Sequence, residues 1–390
     1  MSGSWSKNLV VTVSVEPDDP AMVGRTGSYR SLDGLARFHE LCRRHGVRPT
    51  YLLTYSAAGE ARCVELARSC AAASQAGTGG QRAGTEETGG RGSVRLIAPT
   101  PERRGEQRED AEFGAHLHPE EVPPIAPAEA GRHTLRPSDV EPERLRAKLA
   151  NLAARVAEAT GRRPTSYRAG FFDLTAVQAA ALIELGFEAD SSLGPLEKTR
   201  EGYPFLGMPF APYVVDPVRP TRQLDRTDCR LPIAKCQLPN AEPSSLSHLP
   251  NGQSAMGNRQ SEMLVEVPMT TVFRRPFPRA LFGAYFALPG PVRGALRTLG
   301  LAELLRLRPA VATEQELLAV CQRTERLGIP AVMSIHSNEL AAGTSASVRT
   351  QADSAAYFER IESVFAAVQE QGWTSLTLTE VARKLRQGGS

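Results

Sequence analysis

The first part of the chain alternates between two kinds of hydrophobic pattern. Residues 7–15 (KNLVVTVSV) are short, apolar and rich in β-branched side chains, which is typical of a buried strand. Residues 31–45 repeat apolar side chains at helical spacing, residues 48–55 again have a strand pattern, and residues 60–73 have a helical one. This order predicts a parallel sheet covered by helices, because parallel strands need long crossover connections.

The alternation continues to the end of the chain and predicts a barrel-like fold. Helical patterns separate further strand-like segments at residues 111–117, 165–169, 187–191, 264–271, 331–336 and 373–378. About seven or eight strand–helix units in one domain favour a closed or nearly closed parallel barrel. A doubly wound dinucleotide-binding sheet would need G-x-G-x-x-G after its first strand, and the chain lacks that motif.

We expect residues 1–390 to form one domain with two interruptions. The core of this domain should span about residues 8–385. Residues 74–110 contain a Gly/Thr/Glu/Arg-rich stretch without apolar periodicity, which indicates a flexible loop. Residues 219–261 are polar and contain several Pro, Asn and Ser, so we expect an irregular insertion there. Residues 277–307 are expected to hold short helices.

Charge and hydropathy argue against nucleic-acid and membrane partners. The formal charge is only +3, and arginine-rich stretches such as residues 101–110 interleave acidic residues. No segment approaches the ~20 apolar residues of a membrane span. The fairly apolar residues 281–301 are interrupted by Pro289, Pro291, Arg293 and Arg297.

The beginning of the sequence and its cysteines predict a cytoplasmic protein. Residues 1–16 lack the apolar region and cleavage site of a signal peptide. The six cysteines are expected to be free thiols, as is usual in the cytoplasm, because their C-x6-C spacings are too wide for a typical metal cluster.

Two histidines stand two positions apart at the end of a strand pattern. Alternate residues of an extended strand share one face, so His116 and His118 can converge on one divalent ion. An H-x-H pair alone is a weak signal. It gains weight because other polar residues also follow strands, and active sites of parallel barrels lie where the strands end. These residues are Glu16, Arg168, Asp190 and His336.

Five short segments connect these residues to a known family. In order, they are VTVSVEPDD (11–19), EFGAHLHP (112–119), YRAGFFD (167–173), EADSSLGP (188–195) and MSIHSNEL (333–340). The set resembles the polysaccharide deacetylase family, or NodB-homology fold, and within it the subgroup with H-x-H-P and H-S-x-E-L motifs. The resemblance covers nearly the whole chain.

The resemblance implies a fold and a chemistry. The fold would be α/β, a distorted (β/α)7-type barrel. The activity would be metal-dependent hydrolysis of an amide, with an N-acetylated sugar or glycan as the partner and zinc as the expected divalent ion. A bound ion polarises the carbonyl and lowers the pKa of its water towards ~7. A carboxylate base then accepts a proton, and a histidine donates one to the leaving amine.

The resemblance also implies roles for individual residues. His116 matches the first metal-binding histidine, and His118 matches the second if H-x-H replaces the older H-x-x-x-H spacing. In that older spacing the second position falls on Glu120, which could also bind a metal. His336 matches the late acid, and Arg168 matches the residue that orients the base carboxylate. Asp190 would either anchor a histidine or cap a loop.

The first motif departs from the family at Ser14, where relatives place an aspartate. One interpretation is that Glu16 supplies a catalytic carboxylate, while Asp18 or Asp19 supplies the other; we assign Glu16 to catalysis and Asp18 to the metal. The other is that the base has been lost, and that the barrel binds a sugar or a metal without turnover. A third hypothesis keeps the chemistry on a non-sugar amide.

Overall fold

The computed structural model describes residues 5–388 except residues 25, 77–108, 130, 131, 133, 199–201, 203 and 224–262. The strands, numbered in chain order, are β1 Asn8–Val15, β2 Pro49–Leu53, β3 Glu112–Leu117, β4 Ser166–Ala169, β5 Ala189–Asp190, β6 Tyr213–Asp216, β7 Arg219–Gln223, β8 Val265–Glu266, β9 Thr271–Phe273, β10 Leu304–Arg306, β11 Ala331–His336 and β12 Thr374–Ser375. The helices are α1 Pro20–Val23, α2 Asp33–Arg44, α3 Ala61–Ala76, α4 Pro142–Thr160, α5 Ala176–Glu184, α6 Phe282–Ala287, α7 Gly290–Thr298, α8 Glu314–Leu327, α9 Gln351–Glu370 and α10 Leu378–Gln387.

One curved sheet forms the body of the molecule. Its strand order is β11-β1-β2-β3-β4-β5-β8-β6-β7, and β12 pairs with β1. The seven strands from β11 to β8 are parallel, and β6 and β7 are antiparallel. Within the described residues, β11 and β7 do not pair with each other, so the barrel is open. The predicted α/β class and distorted (β/α)7-type barrel are confirmed.

Sequence and packing explain why the parallel strands lie at the centre. Every residue of β1 is buried, and parallel strands covered on both faces are typically continuous apolar runs. Apolar side chains of β1, β2, β3, β4 and β11 belong to the largest core cluster, together with residues of α2, α4, α8 and α9. This packing fixes the ends of the strands relative to one another.

The predicted helix boundaries agree with local capping chemistry. Thr313 caps α8, because its hydroxyl accepts a hydrogen bond from the Glu316 amide. In turn, the Glu316 carboxylate accepts a hydrogen bond from the Thr313 amide. Gly161 ends α4 with a φ of 73°, a left-handed conformation that favours glycine. The sequence signals at both sites therefore fix where the helices begin and end.

The strand register places polar side chains at one edge of the sheet. Ser14 lies opposite His336 on β11, and His116 lies opposite Arg168 on β4. Because all four strands are parallel, their carboxyl ends meet at this edge.

Three expectations about connecting segments have different outcomes. The predicted loop at residues 74–110 begins too early, since α3 continues to Ala76; residues 77–108 lie outside the described part. In the predicted insertion at 219–261, residues 219–223 form β7, and residues 224–261 lie outside the described part of the chain. Residues 304–306, expected within a helical region, form β10 paired with β9.

The cysteines and helices of the described residues bear on two other expectations. Cys42, Cys63, Cys70 and Cys321 are buried free thiols, whereas Cys229 and Cys236 are not in the described residues. Among the residues that the structure describes, no helix is long and apolar enough to cross a membrane.

Candidate metal and catalytic site

One carboxylate and two imidazoles converge at the sheet edge. The candidate ligand atoms of Glu16, His116 and His118 all lie within 4.8 Å of one another. Glu16 Oε2 is 3.7 Å from His116 Nε2 and 3.2 Å from His118 Nε2. Burial would raise the pKa of Glu16, but the nearby histidines hold it well below its usual range. The carboxylate is therefore ionised and faces two imidazole nitrogens.

His116 is fixed by its position inside β3. Its Nδ1 lies 3.1 Å from the Arg168 carbonyl oxygen, which can only accept, so Nδ1 carries the proton. The opposite nitrogen, Nε2, then offers its lone pair towards Glu16. Burial lowers the pKa of His116 to about 4, against the opposing effect of Glu16. His116 is therefore a neutral imidazole, the form that binds metal ions.

His118 follows β3 in an extended conformation and returns to the same face as His116. The two ring centroids are 4.8 Å apart. Burial would lower the pKa of His118, but the carboxylates of Glu120 and Glu16 raise it to about 10. Its Nε2 is a buried atom without a hydrogen-bond partner, and Nδ1 lies 3.6 Å from Glu120 Oε1.

The donor set fits a divalent ion. Two imidazoles and one carboxylate are the protein ligands of many catalytic zinc sites. Each histidine also has an oxygen on its far side, the Arg168 carbonyl for His116 and Glu120 for His118, as is common behind metal-binding histidines. His118 Nε2 faces the Glu16 carboxylate at 3.2 Å without a hydrogen bond, and a metal ion held by the two groups would displace the proton that the carboxylates otherwise keep on this ring.

Asp18 does not belong to this group, contrary to its predicted role as a metal ligand. It is fully buried, and its carboxylate accepts hydrogen bonds from Ser28 Oγ at 2.7 Å, the Arg30 amide at 2.7 Å and the Ser31 amide at 3.0 Å. These bonds hold the loop after β1 in place. Asp19 caps α1 by accepting a bond from the Ala21 amide. Glu16 is thus the carboxylate that the structure places beside the histidines.

His336 lies on the other side of Glu16. Its Nε2 is 3.6 Å from Glu16 Oε1, and its Nδ1 is 3.1 Å from Arg308 Nη2 and 3.4 Å from Glu339 Oε1. Glu339 also accepts hydrogen bonds from the His336 amide, Tyr357 Oη and Arg308. The imidazole is therefore held in place from behind, with Nε2 facing the pocket that Glu16 lines.

Arg168 forms the floor beneath these residues. It is almost fully buried and donates to the Ser191 carbonyl and to four hydroxyls, those of Ser14, Thr12, Ser191 and Ser334. None of these hydrogen bonds goes to a carboxylate. Burial lowers the pKa of Arg168 to about 10. The structure thus places Arg168 against Ser14, the position at which the first motif departs from the family it resembles.

A pair of buried acids lies near this floor. Asp190 and Glu266 are opposite each other on β5 and β8, and both are fully buried. Burial raises the pKa of Glu266 well above its usual range, and Asp190 raises it further. The Asp190 side chain accepts a hydrogen bond from Ser192 Oγ and contacts Glu266, so it does not take the expected role of anchoring a histidine.

A cavity of about 510 Å³ connects these groups. Glu16, both histidines of the pair, Arg168 and His336 line it, and Ser14 reaches it as well. The cavity is also lined by residues that the sequence analysis did not single out, namely Glu197, Thr271, Arg306 and Arg308.

Two of the residues around the site were missed for a recognisable reason. Arg306 was overlooked because residues 277–307 were expected to hold short helices, and Arg308 directly follows that range. The alternation in Leu304–Arg308 (LLRLR) is a strand signal that would place Arg306 and Arg308 on one face. Glu266 lies in the predicted strand LVEVPMTT, but nothing in the sequence indicates that it pairs with Asp190.

Comparisons with known proteins give similarities in structure. No family model and no curated protein sequence matches the chain. A Mycobacterium smegmatis structure provisionally described as a polysaccharide deacetylase is 16% identical, with a TM-score of 0.48, over 99% of this chain and 93% of that one. A Pseudomonas aeruginosa structure described in similar terms is 13% identical, with a TM-score of 0.46, over 98% and 92%.

A third similar structure is an allantoinase. It is 11% identical, with a TM-score of 0.45, over 98% of this chain and 91% of that one. The structures to which this chain is similar therefore include proteins described as members of the family whose motifs its sequence resembles.

Proposed function

We propose that this protein is a metal-dependent hydrolase of the polysaccharide deacetylase type, acting on a non-peptide amide of an N-acetylated sugar or glycan. The observation that carries the proposal is the convergence of Glu16, His116 and His118 within 4.8 Å, with His336 beside Glu16. These three groups would hold the ion, which we expect to be zinc. When bound, it polarises the acyl carbonyl and makes water a better nucleophile.

The protein's own residues would manage the protons. Glu16 has a pKa well below its usual range because of the surrounding histidines, so it is a weak base. His336 is better placed for proton transfer, since Nε2 faces Glu16 and the opposite side is held by Arg308 and Glu339. With its Nδ1 proton directed to Glu339, the Nε2 of His336 would take a proton from water as the new C–O bond forms. It would then give that proton to the nitrogen as the C–N bond breaks.

Glu16 therefore takes the ligand role that the sequence analysis gave to Asp18. Arg168 has no carboxylate to orient at position 14, and it instead fixes the hydroxyl-lined floor of the cavity. His116 and His118 keep their predicted roles as ligands in this proposal.

Ser14 supports a second candidate, a barrel that binds a glycan without hydrolysing it. A buried serine next to Arg168 supplies no carboxylate base at the position where the family has one. In this alternative the same three ligands hold an ion, but turnover is absent.

Metal binding and hydrolysis can be measured separately. We expect the purified chain to bind one zinc ion, and His116→Ala to weaken binding by about 100-fold or more, as the loss of a direct ligand should exceed the 10–100-fold effect of outer partners. His45→Ala is the matched control, because His45 contacts Gln369 and Glu362 away from the site. Isothermal titration with zinc measures both variants.

Hydrolysis is then tested by acetate release from short N-acetylglucosamine oligomers, with and without a chelator. Chelator-sensitive release that is lost in Glu16→Gln and retained in Asp19→Asn supports the proposed enzyme. Zinc binding without release favours the silent barrel. Equal zinc affinity of His116→Ala and His45→Ala contradicts the proposed site.

A further inference from the structure

We propose that the segment containing α6, α7 and β10, residues 274–308, is a surface that docks onto an anionic lipid bilayer. This segment is called the α6–α7 segment below. It contains the fairly apolar residues 281–301, whose prolines and arginines argue against a membrane-spanning helix. The proposal concerns lying on a bilayer rather than crossing it, and it replaces the expectation that the protein has no membrane partner.

Large apolar side chains are concentrated on the outside of this segment. Nine such side chains are exposed in the described part of the chain, and four of them fall within 21 consecutive residues. They are Leu281 at 49% exposure, Val292 at 43%, Leu299 at 69% and Leu301 at 57%. No residue of α7 is buried. Exposed apolar side chains concentrated in this way are typical of a surface that meets a partner.

The segment is held to the body of the protein by its aromatic residues. Phe273 stacks on Phe277 with ring centroids 4.5 Å apart, and it contacts Tyr285 at 5.2 Å. Phe282 and Tyr285 are buried in the same small cluster. The exposed leucines are therefore presented from a packed base.

Charge favours an anionic partner. The α6–α7 segment contains seven arginines and one glutamate, a formal charge of +6, whereas the whole chain carries only +3. Ion pairs offset part of this charge, since Arg274 and Arg297 pair with Glu303. Arg306 pairs with Glu197, and Arg308 pairs with Glu339. Arg275 and Arg279 are exposed. A basic residue near an anionic membrane surface contributes about 1 kcal/mol of attraction.

This combination favours a bilayer over a second copy of the chain. Two copies meeting through this segment would bring the exposed Arg275 and Arg279 of each copy together, and like charges repel across an interface. Exposed leucines combined with arginines are the pattern of helices that lie in the membrane interface, where apolar side chains enter the acyl region and cations meet the headgroups.

The position of the segment next to the cavity indicates a class of substrate. This inference rests on the proposed function. β10 leads from α7 into the cavity wall, where Arg306 and Arg308 line the cavity beside Val311, which is 63% exposed. Docking would bring the mouth of the cavity to the bilayer. The hydrolase would then act on a glycan that is attached to a lipid.

Vesicle flotation tests the docking without depending on metal or turnover. We expect the full chain to float with vesicles that contain phosphatidylglycerol, and to bind pure phosphatidylcholine vesicles at least about tenfold more weakly, because each exposed arginine contributes to the attraction. High salt should release it by screening the charges.

Two variants separate the apolar and the charge contributions. Leu299→Ser combined with Leu301→Ser should weaken vesicle binding by about tenfold or more, given the apolar area that would be left out of the bilayer. Leu327→Ser is the matched control, because Leu327 is 44% exposed at the end of α8, outside the segment. Arg275→Glu should weaken binding to the anionic vesicles but hardly change binding to neutral ones.

Several results would overturn the proposal. The first is that the protein does not float with vesicles. The second is that the double variant binds vesicles as well as Leu327→Ser does. The third is that the protein binds phosphatidylglycerol-containing and pure phosphatidylcholine vesicles equally. Self-association in sedimentation velocity that the double variant abolishes would assign the surface to a second copy instead. Flotation by a protein that releases no acetate would leave the docking intact and contradict only the proposed function.

Discussion

Glu339 and Glu266 are both almost completely buried close to the candidate site, and their carboxyl groups respond to burial in opposite ways. Glu339 is 2% exposed and Glu266 is 0% exposed. Burial would raise the pKa of Glu339, but His336 and Arg308 lower it to about 2. Burial raises the pKa of Glu266 well above its usual range, and Asp190 adds to the effect. The surroundings of Glu339 therefore favour its charged form, and those of Glu266 favour its neutral form.

The difference depends on what touches each carboxyl. Glu339 contacts the imidazole of His336 and the guanidinium of Arg308 directly. Glu266 accepts a hydrogen bond from the Leu193 amide, and the hydrogen bonds of the nearby Arg168 are made to hydroxyls and a carbonyl. A buried charge needs a direct partner, because the interior does not replace its hydration. The wall formed by His336, Arg308 and Glu339 thus holds charged groups. The floor holds the Arg168 cation among neutral hydroxyls and a carbonyl.

The largest effect is expected from Glu339→Gln. The folded-state pKa of Glu339 is lowered from 4.5 to about 2 by His336 and Arg308. Such a shift corresponds to roughly 3 kcal/mol of folding stability. A lowered carboxyl pKa stabilises the fold above the unfolded pKa, and the contribution is lost as pH falls through the folded pKa. Urea unfolding should therefore show the loss at pH 7, and the gap to the unmodified protein should close between pH 4.5 and 2.

Glu266→Gln is the matched substitution on the floor. Its amide resembles the protonated carboxyl, so we expect a change below about 1 kcal/mol at pH 7. If Glu266→Gln costs as much as Glu339→Gln, Glu266 is ionised, and the contrast between wall and floor is wrong.

A second prediction concerns Ser14→Asp, which would give the floor a carboxylate. Position 14 lines the cavity, receives a hydrogen bond from Arg168 and lies opposite His336 in the strand register. A positioned general base contributes about 10²–10⁴-fold, so acetate release should rise by about 100-fold. The measurement is kcat on the same N-acetylglucosamine oligomers.

Ser14→Ala is its control and should leave kcat unchanged, because the serine hydroxyl serves only as an acceptor for Arg168. A large loss of acetate release in Ser14→Ala would show that the hydroxyl takes part in the reaction. No gain in Ser14→Asp would mean that His336 already supplies all the base catalysis that the site can use.

The parts of the fold that the sequence predicted are those where local signals and packing agree. The apolar run of β1 and the capping box at Thr313 specify a strand and a helix start by themselves. The H-x-H spacing likewise predicted that His116 and His118 share a face, since that follows from strand geometry alone.

The parts that could not be predicted depend on tertiary contacts between segments that are distant in the sequence or separated by a loop. Glu16 and Asp18 both carry a carboxylate and lie two positions apart in the sequence. Only the loop that brings Ser28 and Ser31 onto Asp18 decides that its carboxylate is unavailable. In the same way, Arg308 reaches His336 through β10, whose pairing with β9 is a tertiary contact.

The smallest effect is expected from Glu120→Gln, which tests whether the ligands depend on support from behind. Glu120 Oε1 lies 3.6 Å from His118 Nδ1, on the side away from Glu16. Removing this charge should make His118 a poorer ligand and weaken zinc binding by about tenfold, the lower limit for such partners. The neighbouring Glu121→Gln is the control and should have a smaller effect, because Glu121 bonds to Ser56. Zinc titration decides between them: if Glu120→Gln abolishes binding altogether, Glu120 is itself a ligand, as the older H-x-x-x-H spacing would have it, and His118 takes the supporting role.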